Sequence, residues 1–413
     1  MSKENIIIGL DLGAGQVRTV VAQIQGDDSS PLVLGVGVAP SCGISNGVIV
    51  DIEDTISAIN KSKEEAERIA GVPVEHAFVS INGKHISSQF SKGVVAVSRA
   101  DGEISEEDVN RVINAAQAIS VPTNKEIINV FPCGYTVDGQ EQIKSPVGMN
   151  GVRLEINALL IQGAAPFIKN IEKCVQQRCG IDIDDMIFAP IAAAKSVLSR
   201  KQRDLGVVVI DIGKETTGIV VYEDGNMLGT AVIPVGAGHI TNDIAIGLRT
   251  SIDVAEKIKL EYGNAMPSEV DKQEEIDLSE IDSSEEGIFK RYYIAEIIEA
   301  RVEEIFSMVD DELKKMDKSG MLPAGAVLVG GGAKMQGMVN LTKKILRLPS
   351  QIGYPAEMNG VVDRIDDPEF ATAVGLVMWE ADDNGLFYAD KGGSVKLGNL
   401  GKKIKAIFKA LLP

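Results

Sequence analysis

Two stretches of this chain set an aspartate beside a glycine-bearing turn between apolar strands. The first reads IIIGLDLGAGQVRTVVAQI from Ile6, the second GVVVIDIGKETTGIVVYED from Gly206. Asp11 matches Asp211 and Gly13 matches Gly213; beyond the turns, Val20 and Val21 match Val220 and Val221. Turns of small residues let phosphate oxygens approach backbone N–H groups. The phosphate candidates are therefore Gly13, Ala14, Gly15 and Gln16, with Arg18 behind them, and Gly213, Lys214, Glu215 and Thr216. Asp11 and Asp211 suit a Mg²⁺ held through water, since that ion keeps most of its shell and takes one or two carboxylates. One such hairpin is as readily an ordinary turn. Two copies, with aspartates 200 positions apart, point to a duplicated fold that clamps one nucleotide between its halves.

A third stretch, GAVLVGGGAKMQGMVNLTKKIL, runs a buried strand into Gly330, Gly331 and Gly332 and then, past Met335, into an amphipathic helix. Backbone bared in this way can lie flat against an adenosine. A tight strand-to-helix turn is the plainer alternative.

The chain that must position these residues has 413 of them, enough for two or more domains, 45% apolar and 24% charged. A formal net charge of -18 without a basic, aromatic-laced patch argues against a nucleic-acid partner. An apolar strand begins by Ile6 with no basic region and long apolar stretch, so no signal peptide and a cytoplasmic body are expected. Cys42, Cys133, Cys174 and Cys179 form no CxxC pair, and His76, His85 and His239 lack ligand spacing. Reduced structural thiols are expected, and no metal site built from protein side chains alone.

The chain ends GKKIKAIFKALLP, and from Gly392 onward it holds five lysines and no acid. Leu397, Leu400, Ile404, Ile407, Phe408, Leu411 and Leu412 fall on one face at about 100° per residue, with Lys402 and Lys403 on the flank. The pattern predicts a helix lying in an anionic membrane interface, since spanning needs about 20 apolar residues. Packing on the protein's own body, or in a partner's groove, is the alternative.

The order of hairpin, hairpin and triple-glycine turn resembles the superfamily of actin, sugar kinases and heat-shock chaperone ATPases. From Ile6 to the tail, the chain is similar to the FtsA family of bacterial division proteins. GISNGVIVDIEDT, IKSPVGMNGVRLE, VIPVGAGHITNDIAIGLRT, AEKIKLEYG and FATAVGLVMW carry the likeness. It implies an α/β, actin-like, two-lobed duplicated fold with a family-specific small insert domain and a C-terminal amphipathic helix. Residues 1–83, 164–204 and 363–382 would form the first nucleotide lobe, and 205–235 with 311–362 the second. Residues 84–163 would be the insert, serving self-association and contact with later division proteins. Residues 236–310 would be an outer subdomain, 383–394 a linker and 395–413 the membrane helix.

The same resemblance implies ATP and Mg as cofactors. It adds Gly238 to the nucleotide set, and Glu256 and Lys259 beside the adenine; by spacing alone that pair is only a surface ion pair. Arg291, Arg301 and Glu304 match the family's site for the FtsZ C-terminal peptide. Read from the residues alone, they are as readily helix salt bridges. The role implied is a membrane adaptor for FtsZ filaments that forms filaments itself. Within the insert, Ser105 and Asp108 predict a capping box opening a helix, with strands in HISSQFSKGVVAVSR, KEIINVFPCGYTV and GVRLEINALLI. The stretch NAMPSEVDKQEEIDLSEIDSSEE, with nine acids and one lysine, reads as a solvated loop.

Where the chaperone ATPases carry acids that orient water, the matching positions here hold Gly218 and Ala189. Slow or absent turnover is expected, with Lys214 meeting a phosphate and Glu215 either repelling it or standing in as base. The alternatives are the pilus-assembly relative, which lacks such a tail, a plasmid-segregation filament, and a small-molecule kinase, for which no catalytic acid is evident.

Overall fold

The computed structural model describes residues 6–24, 31–118, 122–356 and 358–381. The expected linker and membrane helix, with Leu400, Lys402, Lys403, Ile404, Ile407, Phe408 and Leu411, lie outside these residues.

Two mixed sheets repeat one plan. In the first, Ile6–Leu12 pairs antiparallel with Gln16–Gln23 and parallel with His76–Ile81. In the second, Val207–Ile212 pairs antiparallel with Thr217–Glu223 and parallel with Ala326–Val329. The leading strand of each hairpin is central and almost wholly buried, which is why both read as unbroken apolar runs. Asp11 then faces Arg18 across its hairpin, and Asp211 faces Gly218. The first sheet also holds Asp182–Phe188 and Leu32–Pro40, the second Asn226–Ile233 and Ser350–Ile352.

Close backbone approaches seat helices on these sheets. A Cβ on Gly37 would meet the Ser62 carbonyl at 1.8 Å, under the helix Ile52–Ala70. A Cβ on Gly375 would meet the Ala192 carbonyl at 1.7 Å, where Ala371–Ala381 crosses Ala189–Val197. The latter helix also touches both hairpin strands of the second sheet, so it joins the lobes.

Three features depart from the sequence reading. Asn359–Gly360, expected in the second lobe with 311–362, instead pairs with Leu32 and Val33 of the first sheet. Gly360 permits this with φ +98°, where a Cβ would meet the Val33 carbonyl at 2.2 Å. The acidic stretch is not simply a loop: Glu275–Asp277 pairs with Ile288–Lys290 as a two-stranded ribbon. Beyond its three expected strands, the insert's sheet gains a fourth, Gln140–Ile143.

The insert is otherwise as expected. Ser87–Ala96, Arg153–Ala164 and Lys125–Val137 form its sheet, and Glu106–Gln117 packs over it behind the Ser105–Asp108 capping box. Among the described residues no helix is long and apolar enough to cross a membrane.

Candidate functional site

A cleft of about 880 Å³ opens between the two sheets, lined by both hairpin turns, the triple glycine and the Glu256–Lys259 pair. Every residue expected around a nucleotide, and both aspartates, line it.

Asp11 and Asp211 stand at the cleft floor, one from each lobe. Asp11 Oδ1 accepts from Ser80 Oγ at 2.8 Å, and that oxygen accepts from the Leu12 amide at 2.8 Å. Burial raises the Asp11 carboxyl, against the nearby Arg18 charge and the Ser80 bond. Burial first and the Asp11 charge second push Asp211 up to about 7, against Arg18 and a Thr372 hydrogen bond. Two enclosed acids that repel one another could share a cation. Among the described residues no group of three or more His, Cys, Asp or Glu could hold a metal. A divalent ion here would complete its shell with water and ligand oxygens, as Mg²⁺ prefers.

The turns offer fewer amides than their composition suggests. Gly13 N–H donates to the Gln16 carbonyl at 3.1 Å and Gly213 N–H to the Thr216 carbonyl at 2.9 Å, closing each turn on itself. The amides of Ala14, Gly15, Lys214 and Glu215 lie inside those closures, on turns that line the cleft, where a phosphate could approach them. The second turn also caps a helix: its Gly213 and Lys214 carbonyls accept from Ala237 and Gly238, the first residues of Ala237–Leu248. Gly238 has to be small there, since a Cβ would lie 2.8 Å from the Lys214 carbonyl.

Gly330 has φ +80°, and a Cβ on it would meet Asp211 Oδ1 at 2.5 Å. Bare backbone at this point brings Gly331 to Met335 beside the acids and opposite the helix Ile252–Tyr262. On that helix the Lys259 ammonium is buried; it donates to Glu256 at 2.6 Å and to Thr241 Oγ1 at 2.9 Å. Glu256 remains half exposed and lines the cleft.

Glu215 does not line up behind Lys214. It accepts from the Asn46 amide of the first lobe. Gly218 is covered by Pro190, whose Cγ would be 2.4 Å from a Cβ there, and Ala189 lines the cleft without a polar group.

The sequence reading missed Ser80, Asn46, Lys334, Glu369 and Thr372, which also line the cleft. Glu369 is a junction: it pairs with Arg18 of the first hairpin and, at 3.3 Å, with Lys334 after the triple glycine. Only Asn46, in an Asn-Gly pair, carried a local signal.

Arg291, Arg301 and Glu304 lie apart from the cleft on the helix Arg291–Lys315. Arg291 binds Glu274 at 2.9 Å and the Tyr262 carbonyl at 2.8 Å. Arg301 forks onto Asp243 at 2.6 and 2.9 Å and also pairs with Glu304.

A family model described as Cell division protein FtsA matches residues 208–375, and one described as SHS2 domain inserted in FTSA matches residues 83–162. The Bacillus subtilis cell division protein FtsA is 39% identical over 92% of this chain and 84% of its own length. Its Pseudomonas aeruginosa counterpart is 37% identical over 94% and 93%, and that of Escherichia coli K12 33% over 97% of each. Two solved structures share the fold at low identity. A chain of the PilM-PilN type IV pilus biogenesis complex aligns with TM-score 0.64 at 15% identity, over 91% of this chain and 98% of its own. MreB 5 of Spiroplasma citri bound to AMPPNP aligns with TM-score 0.55 at 14% identity, over 100% of both. With relatives above 30% identical along nearly its whole length, this chain belongs to the FtsA family of cell division proteins, on an actin-like fold carrying an inserted SHS2 domain.

Proposed function

We propose that the chain is an ATP-binding adaptor that anchors FtsZ filaments to the inner face of the cytoplasmic membrane, helps assemble the division machinery and forms filaments itself. The observation that carries it is the convergence of two phosphate turns, a glycine-bared strand end and the Glu256–Lys259 pair on one cleft. AMPPNP in the MreB 5 structure supports a nucleotide for this fold. The turn amides and Lys214 would take the phosphates, and Glu256 and Lys259 would border the nucleoside. Mg²⁺ between Asp11 and Asp211 would neutralise phosphate charge.

ATP acts here as a structural switch, turned over slowly or not at all. Gly218 lies beneath Pro190, Ala189 has no acid to offer, and Glu215 is occupied by Asn46. The FtsZ peptide would take the Arg291–Arg301–Glu304 face, and the cationic, apolar-faced tail would take the lipid. The FtsA relatives at 33–39% identity favour this over the pilus-assembly reading, whose likeness at 15% speaks for fold alone.

Flotation of FtsZ with anionic liposomes, with and without this protein and Mg·ATP, tests the proposal. FtsZ should float only when the full chain is present, and not when residues 401–413 are removed. If the protein floats and FtsZ stays behind, the partner is wrong. If the truncated chain floats equally well, the tail is not the anchor.

A further inference from the structure

The loop GISNGVIVD forms a small hairpin, Ile44–Ser45 paired with Val48–Ile49. Asn46 and Gly47 turn it with φ of 49° and 75°, the positive pair that a two-residue hairpin of this twist needs. Its base is fixed to the first lobe: the Val50 and Asp51 amides donate to the Gly43 carbonyl at 2.9 and 3.1 Å, and Asp51 caps the helix Ile52–Ala70. Its tip belongs to neither lobe alone.

On one side the Asn46 amide donates to Glu215, in the second phosphate turn, across the cleft. On the other, a Cβ on Gly47 would sit 2.6 Å from both Cα and N of Gly83, so the two backbones touch. Gly83, with φ +118°, is where the chain enters the insert, which the SHS2 model matches over residues 83–162. The return crossing is tied to the same place: the Ala164 amide donates to His85 Nδ1 at 3.3 Å, and the Phe167 and His85 rings lie 4.8 Å apart. Val48–Ile49 also contacts the helix Ala165–Glu172 that follows.

We infer that this hairpin is a relay: Glu215 holding Asn46 transmits the position of the second phosphate turn to the hinge of the insert domain. A phosphate drawn between the two turns displaces Lys214 and Glu215. Asn46 follows Glu215, and the touching glycines oblige Asn82–Gly83 to follow Asn46. The insert then takes one orientation with the nucleotide bound and another without it. The relay rests on the proposed reading of the cleft as a nucleotide site.

Amide hydrogen exchange on the full chain separates the two ideas. Without nucleotide, Glu215→Ala should speed exchange at Ile86 and Ala164 on the order of tenfold, the worth of a hydrogen bond to a charged group. Glu215→Gln, which keeps an acceptor oxygen, should restore most of the protection, as a merely structural role for the charge would not. Gly47→Ala, which forces the backbones apart, should match Glu215→Ala. With Mg·ATP saturating each variant, those hinge amides should change rate in the parent chain and not in Glu215→Ala. Hinge amides indifferent to Glu215→Ala and Gly47→Ala overturn the relay. If the hinge responds to Glu215→Ala but the parent chain binds no Mg·ATP, the mechanical link stands and the nucleotide reading sinks with its signal.

Discussion

Gly218 lies beneath Pro190, with only 2.4 Å available between a Cβ at the first and Cγ of the second. Pro190 sits in the first turn of Ala189–Val197, where its missing N–H costs nothing, and that helix is clamped by Ala371–Ala381. The Gly218 position is therefore filled from above, and Asp211 is its partner across the hairpin. Gly218→Asp should not create a hydrolase. Overpacking should cost about 1–3 kcal/mol and lower the melting temperature. Phosphate release should stay below about 1 s⁻¹, an ordinary lower bound for an enzyme. Faster release in the variant would show that Pro190 yields and that a missing acid was the whole defect.

Binding of Mg·ATP should depend on pH through Asp211, which enclosure and the Asp11 charge push up to about 7. A carboxyl facing a cation must be ionised, so binding releases its proton and affinity rises with pH across that range, by at most about tenfold per pH unit. The stability sign is opposite. The folded pKa lies above the ordinary 3.8, so the ligand-free fold retains a proton that the unfolded chain loses, and this group costs stability as pH rises from 3.8 toward 7. Titrations at about pH 6 and pH 8 should give tighter binding at the higher value, and Asp211→Asn should bind weakly with a flat profile. A parent profile as flat as the variant's would show that Asp211 does not face the cation.

In the insert, Asp108 is wholly buried yet accepts from the Ser105 amide and hydroxyl, the Ser98 amide and hydroxyl, and Arg111. Burial alone would raise its pKa; the Ser105 bonds, with those of Arg111 and Ser98, overcome it and hold the carboxyl far below the usual range. Because the folded pKa is depressed, this stabilisation is present above about pH 4 and fades as pH falls through the acid range. Asp108→Ala should cost about 2 kcal/mol at neutral pH and release protection over residues 98–117, with a smaller penalty in acid. An equal loss at about pH 3 and pH 7 would mean that packing, not the charge, held the corner.

The hairpins and the triple glycine were legible because burial on both faces turns a strand into an apolar run, and only small residues survive where backbones meet. Gly330, where a Cβ would come within 2.7 Å of the Ile212 carbonyl, is such a place. The Ser105–Asp108 box was legible because capping is local. Gln140–Ile143 was not: three of its four residues are exposed and polar, and only the Asp138–Gly139 turn, with both φ positive, announced it. Ser80, Glu369 and Thr372 are polar residues outside the glycine turns, brought to the cleft by crossovers that local pattern does not encode. Glu215 shows the limit most clearly. From sequence it belonged with the phosphates or with water; the Asn46 amide that occupies it is 169 positions away.

Arg301 carries the sharpest test of the partner surface, because it is already engaged. Its guanidinium forks onto Asp243 and pairs with Glu304, and these bonds, Asp243 first, raise its pKa further. An acidic peptide must compete with Asp243 for the same planar donors. Removing the competitor should help: Asp243→Asn should tighten binding of a labelled FtsZ C-terminal peptide severalfold by fluorescence anisotropy. Arg301→Ala should weaken binding by about 1.5–3 kcal/mol, the worth of hydrogen bonds to a charged group. Arg301 is only one quarter exposed and forks onto both Asp243 oxygens, so loss of this pair also costs stability, on the order of 1 kcal/mol, which the melting temperature reads apart from binding. Partner and structural roles therefore separate in one pair of measurements. If both variants lower the melting temperature and neither changes anisotropy, these residues are helix salt bridges and the peptide site lies elsewhere.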